Sequence, residues 1–341
     1  MKRRVIGIAV VVVVVGGVFL FVLPKIADYR AVLHTIGELT WEQTLVLAGA
    51  TVLNIVTFAP PFMATLPGLG FVRALVLTQA STASTYVAPG GAAVGMALAY
   101  AMLRAWGFLP AAVTLAVALT GVWNQLFLLG APAVGLALLT VAGGSNPLLQ
   151  TVALIGLIVF VVALVAFVGA LSGDDIARWV GDVTARIVSW GLRLIRRQPV
   201  PWGGEALVAF RRQAVGLLRR RWLALTLATL AGQLSVFLVL VVCLRTLGVT
   251  SHQVTLTEAF ASWTLVRLLG SLPITPGGIG VVELGLTGAL VGFGGANDAV
   301  VAAVLLYRVL TVVPTLALGL VAGAMWRRLR PHEHEPVPGV P

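Results

Sequence analysis

Two charged side chains, Glu283 and Arg308, fall inside strongly apolar stretches and are the residues of this sequence most able to do chemistry. Glu283 follows the helix-breaking segment Pro276-Gly277-Gly278, and Arg308 lies within the run LLYRVLTVVP. An ionised group at membrane depth costs several kcal/mol unless it is paired or hydrated. Two interpretations stay open: a buried ion pair that locks two helices together, or a site in which Arg308 binds a phosphate and Glu283 binds a cationic or hydroxylated group or a proton.

Pro-Gly segments at 89–91 and 276–278 predict half-helices that begin inside apolar stretches, because both residue types break a helix. The N-terminus of such a half-helix presents free N–H groups and a positive dipole end, which favour a phosphate. Arg267 either joins this site or extends its charge to the membrane surface. Asn124 falls in the first half of the chain roughly where Arg308 falls in the second. The candidate substrate-binding residues are therefore Pro89, Gly90, Gly91, Asn124, Arg267, Pro276, Gly277, Gly278, Glu283 and Arg308.

Familiar catalytic and metal-binding arrangements are missing from the sequence. It contains no Ser/His/Asp grouping, no paired carboxylates, no Cys/His metal spacing and no Gly-rich phosphate-binding strand–helix unit. Its one cysteine, Cys243, lies in an apolar run, and its four histidines are scattered. We therefore expect a protein that is not an enzyme and that uses no metal, no other cofactor and no ATP.

The elements that must position these residues are membrane helices. The chain is 59% hydrophobic and 10% charged, whereas soluble domains are about 45–50% apolar and about 25% charged. A helix of about 20 apolar residues crosses the hydrocarbon core. We predict six full transmembrane helices at 5–23, 43–66, 111–139, 148–171, 223–247 and 299–326.

Two further apolar regions, 74–106 and 259–293, are cut by the Pro-Gly segments. Each resulting piece has about 14–16 residues, roughly 21–24 Å as a helix, which is too short to cross. The simplest interpretation is two re-entrant broken-helix pairs, one in each half of the chain. Together with the spans they give an all-α integral membrane fold of inverted repeats, the arrangement of many secondary transporters.

The distribution of basic residues predicts the orientation. Ten of the 23 Lys and Arg residues are arginines in the segment 174–222. If the N-terminus is inside, 18 basic residues lie on the cytoplasmic side and three outside, and Arg267 and Arg308 remain in the membrane. We therefore expect a multi-pass plasma-membrane protein with both termini cytoplasmic. The net charge of +11 follows this pattern and does not indicate nucleic-acid binding.

The segment 174–222 contains an amphipathic helix with large apolar residues on one face and arginines on the other. Such a helix lies at a membrane surface, where it acts as a topology anchor or selects anionic lipid. The predicted organisation is a first transmembrane helix with an outer amphipathic segment at 1–42, a first repeat at 43–172, a basic amphipathic connector at 173–222, a second repeat at 223–328 and a disordered tail at 329–341.

Residues 271–290, SLPITPGGIGVVELGLTGAL, together with Arg308 resemble the lysylphosphatidylglycerol synthase transmembrane-domain family. That family includes the flippase half of multiple peptide resistance factor proteins and stand-alone flippase-like proteins. The resemblance implies handling of a phospholipid or polyprenyl lipid with a polar headgroup. One departure is the pair Gly95-Met96, where the family's first repeat often carries Gly-Glu.

We expect a lipid flippase that moves an anionic phospholipid or polyprenyl-linked headgroup between leaflets, with a membrane lipid bearing a phosphate headgroup as its partner. Two alternatives stay open. One is an accessory membrane subunit of a lipid-modifying glycosyltransferase or synthase, which would then be a protein partner. The other is an integral-membrane lipid headgroup transferase.

Overall fold

The computed structural model describes residues 37–87, 91–141, 143, 147–194, 198, 200, 202–271 and 276–326. The predicted first span at 5–23, the tail at 329–341 and the candidate residues Pro89 and Gly90 lie outside these ranges. Within them the chain is helical and contains no strand, so the predicted all-α class is confirmed.

Eleven α-helices follow one another through the described residues. In chain order they are α1 (Trp41–Thr57), α2 (Pro60–Thr65), α3 (Phe71–Val87), α4 (Gly91–Ala105), α5 (Pro110–Val141), α6 (Pro147–Ser172), α7 (Asp174–Leu194), α8 (Gly204–Thr246), α9 (Leu256–Gly270), α10 (Val281–Gly292) and α11 (Asn297–Met325). A short 3₁₀ turn, Pro276–Gly278, lies between α9 and α10.

Five helical segments of this part of the chain are long and apolar enough to cross a membrane: Trp41–Thr65, Pro110–Val141, Leu154–Ser172, Gly204–Thr246 and Asn297–Met325. Each of them overlaps one of the five predicted spans that follow the first. In the most apolar 18-residue stretch of α6, no residue is buried inside the protein. Its exposed leucines, isoleucines and valines therefore face the hydrocarbon, as expected for a peripheral membrane helix.

Local sequence signals start several of these helices. Thr40 and Gln43 form a reciprocal capping box at the start of α1, and Thr255 and Glu258 form another at the start of α9. Each box satisfies backbone N–H groups that the first helical turn leaves free. These hydrogen bonds matter most near the hydrocarbon core, where no water can replace a missing partner.

Each of the two pairs of short helices, α3–α4 and α9–α10, packs against a long helix from the other half of the chain. Helix α3 packs on its partner α4 and on α11, whereas α9 packs on its partner α10 and on α5. Small residues allow these close approaches: a Cβ added to Gly319 of α11 would lie 2.2 Å from the Ala83 Cβ of α3. A Cβ added to Gly135 of α5 would lie 3.0 Å from the Ala261 Cα of α9. Each short pair is therefore held by the long helix that follows the other pair.

Corresponding elements of the two halves recur at one spacing of 187 residues. This spacing separates the ends of α4 and α10 at Ala105 and Gly292, and the starts of α5 and α11. The turns between them contain Gly107 and Gly294, which are also 187 residues apart and have φ angles of +90° and +114°. Glycine is the residue that adopts this left-handed backbone without strain. Both turns therefore depend on a glycine at the same relative position.

The longest helix, α8, contains 43 residues and at 1.5 Å per residue is about 65 Å long, roughly twice the hydrocarbon thickness. The sequence predicts its span to begin at 223, but the helix begins at Gly204. The turns before residue 223 carry five arginines, so the hydropathy of the sequence predicts only the apolar part of this helix. This helix packs against α1, α2, α5, α7 and α11 and is the centre of the fold.

Candidate functional site

The break between α9 and α10 is built from glycines in a left-handed backbone conformation. The φ angles are +62° at Gly277, +68° at Gly278 and +86° at Gly280. A side chain at Gly277 has no room, because a Cβ there would lie 2.4 Å from the Tyr86 Cδ1 atom of α3. The expectation that a half-helix begins at Gly277 and Gly278 is wrong, since positive φ keeps these residues non-helical and α10 begins at Val281.

Glu283 and Arg308 form a buried ion pair that holds this break. Arg308 Nε donates to Glu283 Oε1 at 2.6 Å, and Glu283 is 2% and Arg308 8% exposed. The second carboxylate oxygen accepts the Gly280 N–H at 2.6 Å, and Arg308 Nη2 donates to the Gly277 carbonyl at 3.1 Å. The pair therefore joins α10, α11 and the turn into one unit.

The N-terminus of α10 already has an anionic partner from within the protein. The Glu283 carboxylate accepts the Gly280 N–H at the place where a phosphate was expected to bind. Capping by a carboxylate satisfies both the free N–H and the positive end of the helix dipole. An external phosphate at this position would have to compete with Glu283.

Arg267 supplies a second positive charge to the same region. Its guanidinium lies over the Trp263 ring with 4.9 Å between the Cζ atom and the ring centroid. Trp263 Nε1 donates to the Tyr307 hydroxyl at 3.2 Å, and both aromatic residues are buried. The Tyr86 and Tyr307 phenols lie within electrostatic range of Arg308. Both guanidinium groups lie within electrostatic range of the Tyr307 phenol, and together with the Glu283 carboxylate they carry a formal charge of +1.

No carboxylate of the described residues lies within salt-bridge distance of Arg267. Its interaction with the Trp263 ring stabilises the guanidinium by about 0.5–2 kcal/mol, but the ring is uncharged and, unlike a carboxylate, does not neutralise it. Arg308 is paired with Glu283, so Arg267 is the arginine of this region whose charge no described carboxylate neutralises.

The first half of the chain contributes to this cluster through Tyr86. Of the candidates in the first Pro-Gly segment, Gly91 is described and begins α4. It packs so closely on α3 that an added Cβ would lie 2.1 Å from the Thr85 carbonyl oxygen. Tyr86 is the neighbour of Thr85 and contacts Gly277. The end of the first short pair therefore meets the break of the second.

Asn124 does not join the cluster. Its Oδ1 accepts a hydrogen bond from Gln233 Nε2 at 2.8 Å, which links α5 to α8. The residue 187 positions before Arg308 is Gly121, and the residue 187 positions before Glu283 is Met96. A Cβ on Gly121 would lie 3.9 Å from the Met96 Sδ atom. At the positions 187 residues before the ion pair, the chain thus has two uncharged residues, Met96 and Gly121, which lie close together.

Sequence reasoning missed the aromatic residues Tyr86, Trp263 and Tyr307. A signal for Tyr86 was present, because it lies three residues before the first Pro-Gly segment. The two others carry no such signal, since an aromatic residue in a membrane helix usually packs against lipid or protein. The 187-residue spacing of the Pro-Gly segments would also have identified Gly121 instead of Asn124.

Comparison with known proteins gives one result that covers nearly the whole chain. The family described as lysylphosphatidylglycerol synthase TM region matches residues 4–319. The comparison with curated proteins finds no match. The matched region includes both short-helix pairs, the connector α7 and the whole charged cluster.

Proposed function

The chain belongs to the lysylphosphatidylglycerol synthase TM region family, and from that premise we propose that it moves an anionic lipid headgroup between the leaflets of the membrane. The lipid is a phospholipid or a polyprenyl phosphate. The observation that carries this proposal is the positively charged cluster of Arg267, Arg308 and Glu283 at the broken helix. The protein itself makes and breaks no covalent bond in this proposal.

The charge of the cluster supports an anionic substrate. The Arg267 guanidinium is partly exposed within the protein, and a charge that remains at membrane depth is costly and usually marks a substrate or ion pathway. A phosphate bound at Arg267 would bring the formal charge of the cluster from +1 to zero or below. The acyl chains stay in the bilayer while the headgroup passes beside the break.

The Glu283–Arg308 pair gives the site two states. A phosphate that binds Arg308 displaces the Glu283 carboxylate, and a displaced carboxylate in this environment requires a proton or a cation. We propose that Glu283 then takes a proton, or binds the cationic group of a zwitterionic or aminoacylated headgroup. In both cases the turn at Gly277 is released, because Arg308 also binds its carbonyl.

We further infer that the two halves are inverted repeats and that α3–α4 and α9–α10 are re-entrant pairs. The 187-residue spacing of helix ends, helix starts and turn glycines supports the repeat. The crossed packing of each short pair on the other half's long helix supports two interlocked halves with a site between them. The arginine distribution supports a plasma-membrane protein with both termini cytoplasmic.

The test is reconstitution of the purified protein into liposomes that carry fluorescent phosphatidylglycerol, other anionic phospholipids or a polyprenyl phosphate. We expect an impermeant quencher to reach inner-leaflet label faster than in empty vesicles. Gly278→Leu should abolish the gain, because Gly278 has φ +68° and a Cβ there would lie 3.0 Å from the Gly270 carbonyl oxygen.

Gly288→Leu is the matched control, because Gly288 is an exposed glycine of α10 with nothing within 4 Å of an added Cβ. This variant should flip lipid at the wild-type rate. If no headgroup is accelerated while the activity of a co-expressed lipid-modifying enzyme depends on the protein, the accessory-subunit interpretation is correct instead.

A further inference from the structure

Helix α7 packs on the fold through small residues spaced four apart. Ala177, Gly181, Ala185 and Ser189 form this face, and α7 lies against α8. A Cβ added to Gly181 would lie 2.8 Å from the Gly204 Cα, so the two helices approach as closely as glycines permit. The large apolar residues of α7 therefore point away from the protein.

Those large residues form an exposed stripe. Trp179 and Trp190 are 65% and 66% exposed, and Ile176 and Ile187 lie on the same face. No described part of the protein covers them. Tryptophan on an amphipathic helix with arginines beside it favours the interface between headgroups and acyl chains. The segment 174–222 contains ten arginines and four acidic residues, so this surface is strongly positive.

A cavity of about 510 Å³ opens beside this stripe, between α7 and the residues that directly precede α8. Its walls include Asp182, Arg186, Ser189, Trp190, Arg193 and Trp202. Asp182 Oδ1 accepts the Gly204 N–H at 2.7 Å, and Ser189 Oγ accepts the Val200 N–H at 3.2 Å. These two bonds fix the floor of the cavity.

Arg186 and Arg193 are the cations of this cavity, and both are exposed. Arg186 Nε donates to the Asp182 backbone carbonyl at 3.2 Å, which leaves its terminal nitrogens free, and no carboxylate of the described residues is paired with either guanidinium. Arg178 on the same helix differs, because it binds Asp175 and Glu205 at 2.9 and 2.7 Å.

We propose that this cavity binds the phosphate of an anionic phospholipid in the leaflet that α7 contacts. Arg186 and Arg193 are two turns apart on one helix and together offer guanidinium donors to the phosphate. The Trp190 side chain belongs to both the cavity and the apolar stripe, so the acyl chains continue from the cavity along the stripe into the bilayer. This continuity selects a lipid over free phosphate. The site is separate from the charged cluster at the broken helix.

The experiment measures lipids retained by the full-length protein in nanodiscs of phosphatidylcholine with increasing phosphatidylglycerol, by native mass spectrometry. The variant R186Q/R193Q should retain phosphatidylglycerol about tenfold more weakly than the wild type, as expected when charge-assisted hydrogen bonds are lost. R219Q/R220Q is the matched control, since it removes two exposed arginines of α8 that no described carboxylate pairs with. It should retain the lipid as the wild type does.

Three outcomes would overturn this proposal: unchanged retention in R186Q/R193Q, an equal loss in R219Q/R220Q, or displacement of the lipid by inorganic phosphate at millimolar concentration. The last outcome would identify the cavity as a site for free phosphate. Flipping rates of the same variants in liposomes separate the two proposals. If R186Q/R193Q loses lipid retention but flips lipid at the wild-type rate, both proposals stand. If the wild-type protein does not flip lipid at all, only the transport proposal fails.

Discussion

At the scale of single residues, the Glu283–Arg308 pair determines what the break can do. Removing one partner of a buried ion pair leaves an uncompensated charge and costs about 3–5 kcal/mol. Glu283→Gln and Arg308→Gln should therefore each lower the thermal unfolding temperature in detergent. The double variant E283Q/R308Q should recover much of the loss, because no lone charge remains and the amide oxygen introduced by E283Q still accepts the Gly280 N–H.

The same double variant separates structure from function. If the pair belongs to the substrate site, the folded double variant should be inactive in lipid flipping. A double variant that folds and keeps full activity would remove both residues from the mechanism and leave them as a structural pair.

At the scale of elements, the sequence predicts helices well and their contacts poorly. The spans could be predicted because an apolar run of about 20 residues in a membrane protein forms a helix that crosses the bilayer. The start of α10 at Val281 could not, because it depends on backbone angles at Gly277, Gly278 and Gly280. The amphipathic helix at α7 was predicted from its periodicity, and the structure shows its apolar face uncovered.

The sequence predicted which charged and helix-breaking residues form the site, but not the contacts that other helices make with them. Glu283, Arg308 and the Pro-Gly break stand out as residues that apolar helices do not usually contain, and the structure brings them together. The position of Arg267 on Trp263 and the contact of Tyr86 with Gly277 depend on packing between distant helices. No local pattern specifies such packing.

The junction of α7 with α8 should respond to pH only in acid. Asp174 binds Arg212 at 2.7 Å and Arg211 at 2.6 Å, and the hydrogen bond from Arg212 lowers the pKa of Asp174 below its ordinary value of 3.8. Because the folded pKa is lowered, the stabilisation is fully present above the ordinary value and is lost as pH falls through the folded pKa.

We therefore expect hydrogen exchange of α7 to be constant from pH 5 to pH 8, after correction for the intrinsic rate, and to accelerate below about pH 4. The variant Asp174→Asn should show faster exchange than the wild type at neutral pH and a weaker change in acid. Opening of the wild-type helix between pH 5 and pH 8 would contradict this role of Asp174.

At the scale of the whole molecule, the arginine distribution predicts which ends of the helices face the cytoplasm. Single cysteines at Asn297 and Ser172, both exposed, report the start of α11 and the end of α6. The native Cys243 is buried and should give little background. An impermeant thiol reagent should label position 297 in intact cells and position 172 only after the membrane is opened. Labelling of Ser172→Cys from outside would reverse the orientation.

The proposed transport path requires an arginine that is free to bind a headgroup, and this requirement can be tested by one comparison. Arg267→Gln removes the available charge at the broken helix, and Arg220→Gln removes an exposed arginine of α8 away from it. In liposomes with fluorescent anionic lipid, Arg267→Gln should slow protein-dependent flipping by at least about tenfold, the effect of one lost charge-assisted hydrogen bond. Arg220→Gln should leave the rate within about twofold. Equal rates for Arg267→Gln and the wild type, with both proteins folded, would contradict the assignment of this cluster as the headgroup site.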